Sequence, residues 1–415
     1  MDAAERDFDI VLYGATGFVG RLTAQYLARV GNGLRIALGG RSAEKLHALR
    51  DTLGHSAQHW PVLVAERSDY AELTRLASRT RVVASTVGPY LKHGLPIVAV
   101  CAATGTDYVD VTGEVPFVRN SIDACDEHAV ATGARIVHSC GFDSVPSDLT
   151  VYALHRRAVA DDAGGLGDTT LVLRRYAGGI SGGSAATMVE LLRASADPDT
   201  RRTMDDPYSL SPDRRAEPDL GYQPDVQMRR GTEIAPELAG VWTGGYVMAA
   251  YNTRCVRRTN ALLGWAYGRG LRYTETLSLG SSRLAPVMAT MTSATIAGAT
   301  RFAGSYLGML PSGLVDGMTT SYGIGYTNES RGHYTVETYT RTTTGARYVA
   351  TMAQQADPGY SATALMLGES ARTLVKDRDA LADRYGVLTP VTAMGDALTG
   401  RLEAAGVTLS VARLN

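Results

Sequence analysis

Lysine is almost missing from this 415-residue chain, with only Lys45, Lys92 and Lys376 among 41 basic residues. None has a tyrosine four positions earlier, where Arg41, Gly88 and Arg372 stand, so the Tyr-x-x-x-Lys proton relay of short-chain dehydrogenases is excluded. Cysteine is sparse. Cys101, Cys125, Cys140 and Cys255 form no C-x-x-C pair, which argues against a zinc site and a disulfide framework and makes a reducing cytoplasm the expected compartment. The eight histidines are scattered without an H-E-x-x-H pattern, so no metal is expected. Excess charge of one sign is lacking too: the net charge is −1, which makes nucleic acid an unexpected partner. The first residues, MDAAERDFDIVLYGATG, are acidic where a signal peptide is basic, and secretion is not expected.

What is present is an ordinary globular composition, 45% apolar and 20% charged, in a chain long enough for two or three domains of ~150 residues. A strand-like run, Phe8–Tyr13, leads into Gly14-Ala15-Thr16-Gly17-Phe18-Val19-Gly20 and then a helical pattern to about Val30. Glycines at this spacing permit a positive φ and let backbone N–H groups approach a pyrophosphate at a helix N-terminus. The next strand, Arg35–Gly39, ends in Gly40-Arg41-Ser42, where an NAD site would carry an acid for the ribose 2′-hydroxyl. A guanidinium and a hydroxyl suit a 2′-phosphate instead, so NADP is the expected cofactor.

Strand patterns at Pro61–Ala65, Val82–Thr86, Tyr108–Val111 and Arg135–Ser139 alternate with helical ones at Tyr70–Ser78, Ile97–Ala103 and Val118–Thr132. This predicts an α/β chain whose residues 1–145 form an N-terminal Rossmann-type doubly wound parallel sheet. Ligands of such sheets lie off the carboxyl ends of the strands. The turns there nominate Thr86, Val87 and Gly88 for the cofactor, and Tyr90, Asp143 and Ser144 as candidate catalytic groups, with Asp110 and Glu114 nearby in sequence. Turn and cap chemistry alone also favours these residue types.

Residues 146–385 change texture. Runs rich in Thr, Tyr and Val at 169–177, 241–251, 271–279, 333–344 and 346–354 predict a second α+β domain with a mostly antiparallel sheet for substrate and dimerisation. Six of fifteen prolines fall in 197–237, read as an irregular loop, and 386–415 reads as a C-terminal helix packing back on the first domain. Leu284, Met288, Met291 and Thr295 share a helical face in the weakly charged stretch 284–315, which suggests a buried or interface helix, with peripheral membrane contact as the alternative. Gly179–Gly183 matches G-x-S-x-G, but only His333 follows it as a triad histidine, so a glycine turn is the better reading. Arginine doublets at 174–175, 201–202, 214–215, 229–230 and 257–258 fit solvated surface or a docking patch for an acidic carrier.

FDIVLYGATGFVG, STVGPY, GTDYVDVTGE and CGFDSVPSD, in this order, resemble the saccharopine dehydrogenase-like family. PELAGVWTGG, NTRCVRRTNALLGWAYGR, RGHYTVETYT and GVLTPVTAMGDAL further resemble its mycobacterial trans-acting enoyl reductase subfamily, with a departure at GMTTSYGIGYTN, 317–328. The resemblance spans nearly the whole chain. It implies NADPH-dependent reduction of an α,β-unsaturated acyl thioester on a polyketide synthase carrier domain in envelope lipid synthesis, with Gly14, Gly17, Gly20 and Arg41 on the cofactor. An imine-reducing amino-acid dehydrogenase and a non-catalytic NADPH-binding, lipid-associated protein are the alternatives. A homodimer is the expected assembly.

Overall fold

The computed structural model describes residues 6–178, 182–307 and 332–415. The 317–328 departure, part of the G-x-S-x-G turn and the 308–315 end of the weakly charged stretch lie outside the described residues. The chain divides into two compact units: residues 1–145, 179–187 and 359–405 form the first, and 146–178, 188–358 and 406–415 the second. The 146–385 segment is therefore not one body, because the chain re-enters the first unit at Gly359.

The first unit holds a seven-stranded parallel sheet: β1 (Phe8–Tyr13), β2 (Ile36–Gly40), β3 (Val62–Val64), β4 (Thr80–Ser85), β5 (Asp107–Asp110), β6 (Arg135–Val137) and β13 (Gly386–Leu388). Their order is β13-β6-β5-β4-β1-β2-β3. β1 is buried along its whole length, which fits FDIVLY, apolar but for an Asp9 paired with Arg35 at 2.9 Å, in the middle of a sheet covered on both faces. The order reverses between β1 and β4, and that switch point is where a doubly wound sheet opens to ligands at its carboxyl edge.

Helices Phe18–Val30 and Thr363–Lys376 pack side by side, with Gly368 so close to Tyr26 that a Cβ there would lie 2.7 Å from the ring. The Tyr26 hydroxyl donates to Glu369, tying the late helix to the early one. The C-terminal segment is more than the expected helix. β13 pairs with β6, helix Pro390–Ala404 starts at a Thr389 capping box, and a last strand joins the other unit's sheet.

The second unit is built on β7 (Leu166–Ala177), β8 (Arg229–Arg230), β9 (Trp242–Gly245), β10 (Arg272–Ser278), β11 (His333–Thr342), β12 (Arg347–Gln354) and β14 (Thr408–Leu414), ordered β14-β12-β11-β7-β10-β9-β8. Only the β7–β10 pair is parallel among the described ladders. Threonines cross-link strands and helix: Thr169 to Thr340 at 2.7 Å, Thr170 to Thr274 at 3.0 Å, and Thr338 to Thr150 at 2.7 Å. β-branched hydroxyls so paired can be buried without an unsatisfied polar atom.

Three expectations need correction here. The 241–251 run is not one strand: Gly245 ends β9, its N–H donating to Ser293 Oγ at 2.9 Å, and helix Ala249–Leu262 follows. That helix buries Arg254, Arg257 and Arg258, so the 257–258 doublet is neither docking patch nor solvated surface. Their guanidiniums grip the carbonyls of Met204, Pro207 and Leu210, which pins the proline-rich 197–237 segment, itself opening with helix Pro198–Asp205. Finally, the Leu284–Met291 face is exposed, which overturns the buried half of the buried-or-interface reading: helix Ala285–Leu307 buries Ala285 and Ala289, while Leu284 just before it is 67% and Met291 on it 65% accessible. Among the described residues no helix is long and apolar enough to cross a membrane.

Candidate functional site

Every candidate group sits on a turn that leaves the carboxyl edge of the parallel sheet. After β1, Gly14 takes φ +87°, and a Cβ there would lie 2.7 Å from Val87 Cγ2 and 2.9 Å from Thr86 Oγ1. Thr86 locks this approach: its N–H donates to the Tyr13 carbonyl at 2.9 Å and its hydroxyl to the Gly14 carbonyl at 3.0 Å. A Cβ on Gly20 would overlap the Gly14 carbonyl, so the turn and the first helical turn are in backbone contact. No side chain caps the helix at Gly17, and its first-turn N–H groups lack intrahelical acceptors, as a phosphate-binding terminus requires. Ala15 is buried beneath the turn, while Thr16, Phe18 and Val19 line its outer side, Phe18 standing edge-on to Tyr360 at 4.8 Å.

Gly20→Ala is predicted to destabilise the fold by about 1–3 kcal/mol, because backbone rather than a yielding side chain must move. Cofactor affinity should fall with it. Urea unfolding and a fluorescence titration measure the two effects separately.

The turn after β2 presents exposed Arg41, and Ser42 caps helix Ala43–Thr52 by accepting from the Lys45 N–H at 3.3 Å. Two further cations join Arg41: Arg67, beyond β3, and Lys92, beyond β4. His93 senses all three. Its pKa is lowered first by burial, then by Arg67, Lys92 and Arg41. Burial likewise pushes the Tyr13 phenol, whose hydroxyl donates to the Ala65 carbonyl, up to about 12. Arg67 and Lys92 escaped the reading of the sequence. Their signal was positional, as basic residues shortly after the third and fourth strands.

The turn after β4 passes through Val87, Gly88 and Pro89 to Tyr90. The Tyr90 hydroxyl donates to the Ser85 carbonyl at 3.0 Å, and the ring is 4% exposed against Phe117. Burial raises this phenol well above its usual range. A buried hydroxyl committed to a carbonyl holds the turn, which departs from the proton-donor role expected of Tyr90. Glu114, fully buried, accepts from the N–H groups of Tyr90 at 2.8 Å and Leu91 at 2.6 Å and from the Thr187 hydroxyl at 3.2 Å. Removing that carboxylate strands two buried donors, so Glu114→Ala should cost about 2–4 kcal/mol in chemical denaturation, with Glu114→Gln costing less.

Asp110 organises the turns after β5 and β6. Its Oδ1 accepts from Thr112 N–H at 3.1 Å and Ser139 N–H at 2.9 Å, and its Oδ2 lies 2.8 Å from His138 Nδ1. His138 Nε2 is 2.8 Å from Ser121 Oγ. The trio has the connectivity of a hydrolase triad, but Ser121, His138 and Asp110 are all buried, so it serves as a brace. The brace supports Cys140–Ser144, where the Phe142 N–H donates to Thr363 Oγ1 at 3.2 Å and Ser144 N–H to the Gly141 carbonyl at 3.2 Å. Ser144 is buried, against its expected catalytic place. Asp143 alone of the three nominated catalytic residues keeps appreciable exposure, and burial of the rest of its surroundings lifts its pKa to about 6.

Residues 10–137 match the family model for the saccharopine dehydrogenase NADP binding domain. A Mycobacterium tuberculosis protein provisionally named a trans-acting enoyl reductase is 58% identical over 417 residues, covering all of both chains. A Mycobacterium bovis protein named trans-acting enoyl reductase is 54% identical over 419 residues, again covering all of both. The chain belongs to the trans-acting enoyl reductase family. Among solved structures, saccharopine dehydrogenase (L-Glu forming) from Saccharomyces cerevisiae covers 98% of this chain, with all of its own chain covered, at a TM-score of 0.57 and 14% identity, which shows the shared fold.

For this family member the residues fit NADP. A glycine turn that a Cβ would fill leaves room for a pyrophosphate, and exposed Arg41 stands where an acid would select the unphosphorylated ribose.

Proposed function

We propose that this chain is an NADPH-dependent enoyl reductase that saturates the α,β double bond of an acyl thioester carried by a partner synthase, within envelope lipid synthesis. Its full-length kinship with trans-acting enoyl reductases carries the reading. When bound, NADPH would supply the hydride for the β-carbon. Gly14–Gly20 and Thr86–Gly88 would cradle the cofactor, and Arg41 with Ser42, Arg67 and Lys92 would hold its 2′-phosphate. Asp143, its pKa near 6, donates the proton that the α-carbon of the resulting enolate takes up. Tyr90, Glu114 and Asp110 act through the turns they clamp, and Ser144 closes the turn that presents Asp143. In this reading the first unit binds cofactor and the second serves substrate and partner.

The test is reduction of a carrier-bound 2-enoyl thioester with deuterated NADPH. Deuterium at the β-carbon supports the reading, and deuterium transferred instead to an imine carbon of an amino-acid substrate defeats it. The reading also includes a cytoplasmic homodimer with peripheral contact at the inner membrane face. Its support is the exposed apolar face of Leu284, Val287, Met288 and Met291. Sedimentation and vesicle pelleting of Met288→Glu separate self-association from lipid contact.

A further inference from the structure

Each of the two sheets ends in a pair of edge strands, and three of these four edges are short. β3 and β13 have three residues each, and β8 has two, both of them arginines. Brevity and charge are common defences of a sheet edge, whose free N–H and C=O groups otherwise invite another strand. The fourth edge, β14, has little of either. It runs seven residues, Thr408–Leu414, and pairs with β12 residue for residue without a bulge. Its sequence, TLSVARL, holds no proline, lysine or acid. Arg413 is its one charge, and that guanidinium stands 5.9 Å over the Tyr348 ring and 4.0 Å from Asp161 of its own chain. Thr408, Ser410, Ala412 and Arg413 are exposed. Among the described residues β14 pairs with β12 alone.

The strand also matches itself. A second copy extends the sheet antiparallel across a two-fold axis normal to it, and such an axis keeps every side chain on its own face. Residues opposed across a ladder share a face, so the axis passes through a residue and not between two. The midpoint of β14 is Val411. An axis there sets Val411 against Val411, Ser410 against Ala412, Leu409 against Arg413 and Thr408 against Leu414 of the other copy. All seven residues are then paired, and each arginine faces a leucine, so no like charges meet.

We propose that two copies of this chain join edge to edge through β14, with Val411 on the two-fold axis, making one continuous sheet of the two seven-stranded ones. The proposal specifies the homodimer of the reading above and does not depend on enoyl reduction. Helix Ala285–Leu307 packs on β9, toward the other end of the sheet, so its exposed apolar face stays outside this interface.

Sedimentation of the full chain tests the pairing. Wild type should run at twice the monomer mass. Ser410→Glu combined with Ala412→Glu sets carboxylates opposite one another at two places, and this exposed pair of changes should halve the mass while leaving the circular dichroism spectrum unchanged. Ser410→Lys combined with Ala412→Lys should do the same. Mixing the two variants should restore the dimer, because each lysine then faces a glutamate. The register is tested by cysteine cross-linking, for which the four native cysteines are all buried. Co-expressed chains carrying Thr408→Cys and Leu414→Cys should cross-link to each other through a short bismaleimide. Thr408→Cys alone should not, since its two copies lie a strand's length, ~20 Å, apart. A monomeric wild type defeats the homodimer and the β14 pairing together. A dimer that survives in both charge variants leaves the homodimer standing and overturns the β14 interface. Charge variants that stay monomeric when mixed, or cross-linking of Thr408→Cys to itself, also overturn it.

Discussion

Replacing Asp143 with asparagine should lower kcat for enoyl reduction by about 10²–10⁴-fold, the usual worth of a positioned general acid. The pH profile makes the test specific. The carboxyl is protonated below its folded pKa of about 6, so wild-type kcat should fall as pH rises through that value. Asp143→Asn, having no proton to lose, should give a flat low profile across the same range. Stability should fall over the same rise in pH. The folded-state pKa is raised from 3.8, so the folded chain retains the proton between about 4 and 6 and pays for the charge above that window. Wild type therefore loses stability through the window as pH rises. After discounting for the residue's remaining exposure, Asp143→Asn should be more stable by about 1–2 kcal/mol at pH 8 and by nothing at pH 3.5. A fall in activity without the change in pH profile would assign Asp143 a merely structural place.

Arg41→Glu should reverse the cofactor preference. Losing a guanidinium from a phosphate forfeits about 1.5–3 kcal/mol, and a carboxylate in its place adds repulsion, so NADPH should bind at least about tenfold more weakly. NADH, which lacks the 2′-phosphate, should bind as before or better. Because Arg67 and Lys92 share the same neighbourhood, Arg41→Ala alone should lose less than the Arg41→Ala, Arg67→Ala pair. Side-by-side titrations with the two nucleotides measure this. Equal NADPH affinity in wild type and Arg41→Glu would remove Arg41 from the cofactor site.

The nucleotide unit was legible because local and global signals agree there. FDIVLY is apolar but for Asp9, which pairs with Arg35, its strand is buried along its whole length, and the helix opens directly after Gly17. Legibility failed where polar residues turn inward. In YNTRCVRRTNAL the arginines read as a solvated pattern, yet their targets are carbonyls of a segment some 50 residues earlier. Tyr90 shows the same limit. A phenol in a turn off the fourth strand is a reasonable donor until the Ser85 carbonyl is found to hold its proton. Glu114 is likewise set by the N–H groups of the Tyr90 turn, which spacing along the chain does not reveal. Asp143 and Ser144 are adjacent in sequence, and only packing separates the accessible acid from the buried hydroxyl.

The most direct measurement of the central claim is nicotinamide oxidation by the purified chain, with NADPH and NADH in parallel, with and without a carrier-bound 2-enoyl thioester. The account predicts oxidation with NADPH and the enoyl thioester together, little with NADH, and a saturated acyl product. Oxidation driven by an imine substrate but not by the enoyl thioester, or tight NADPH binding with no turnover of the enoyl thioester, would contradict it.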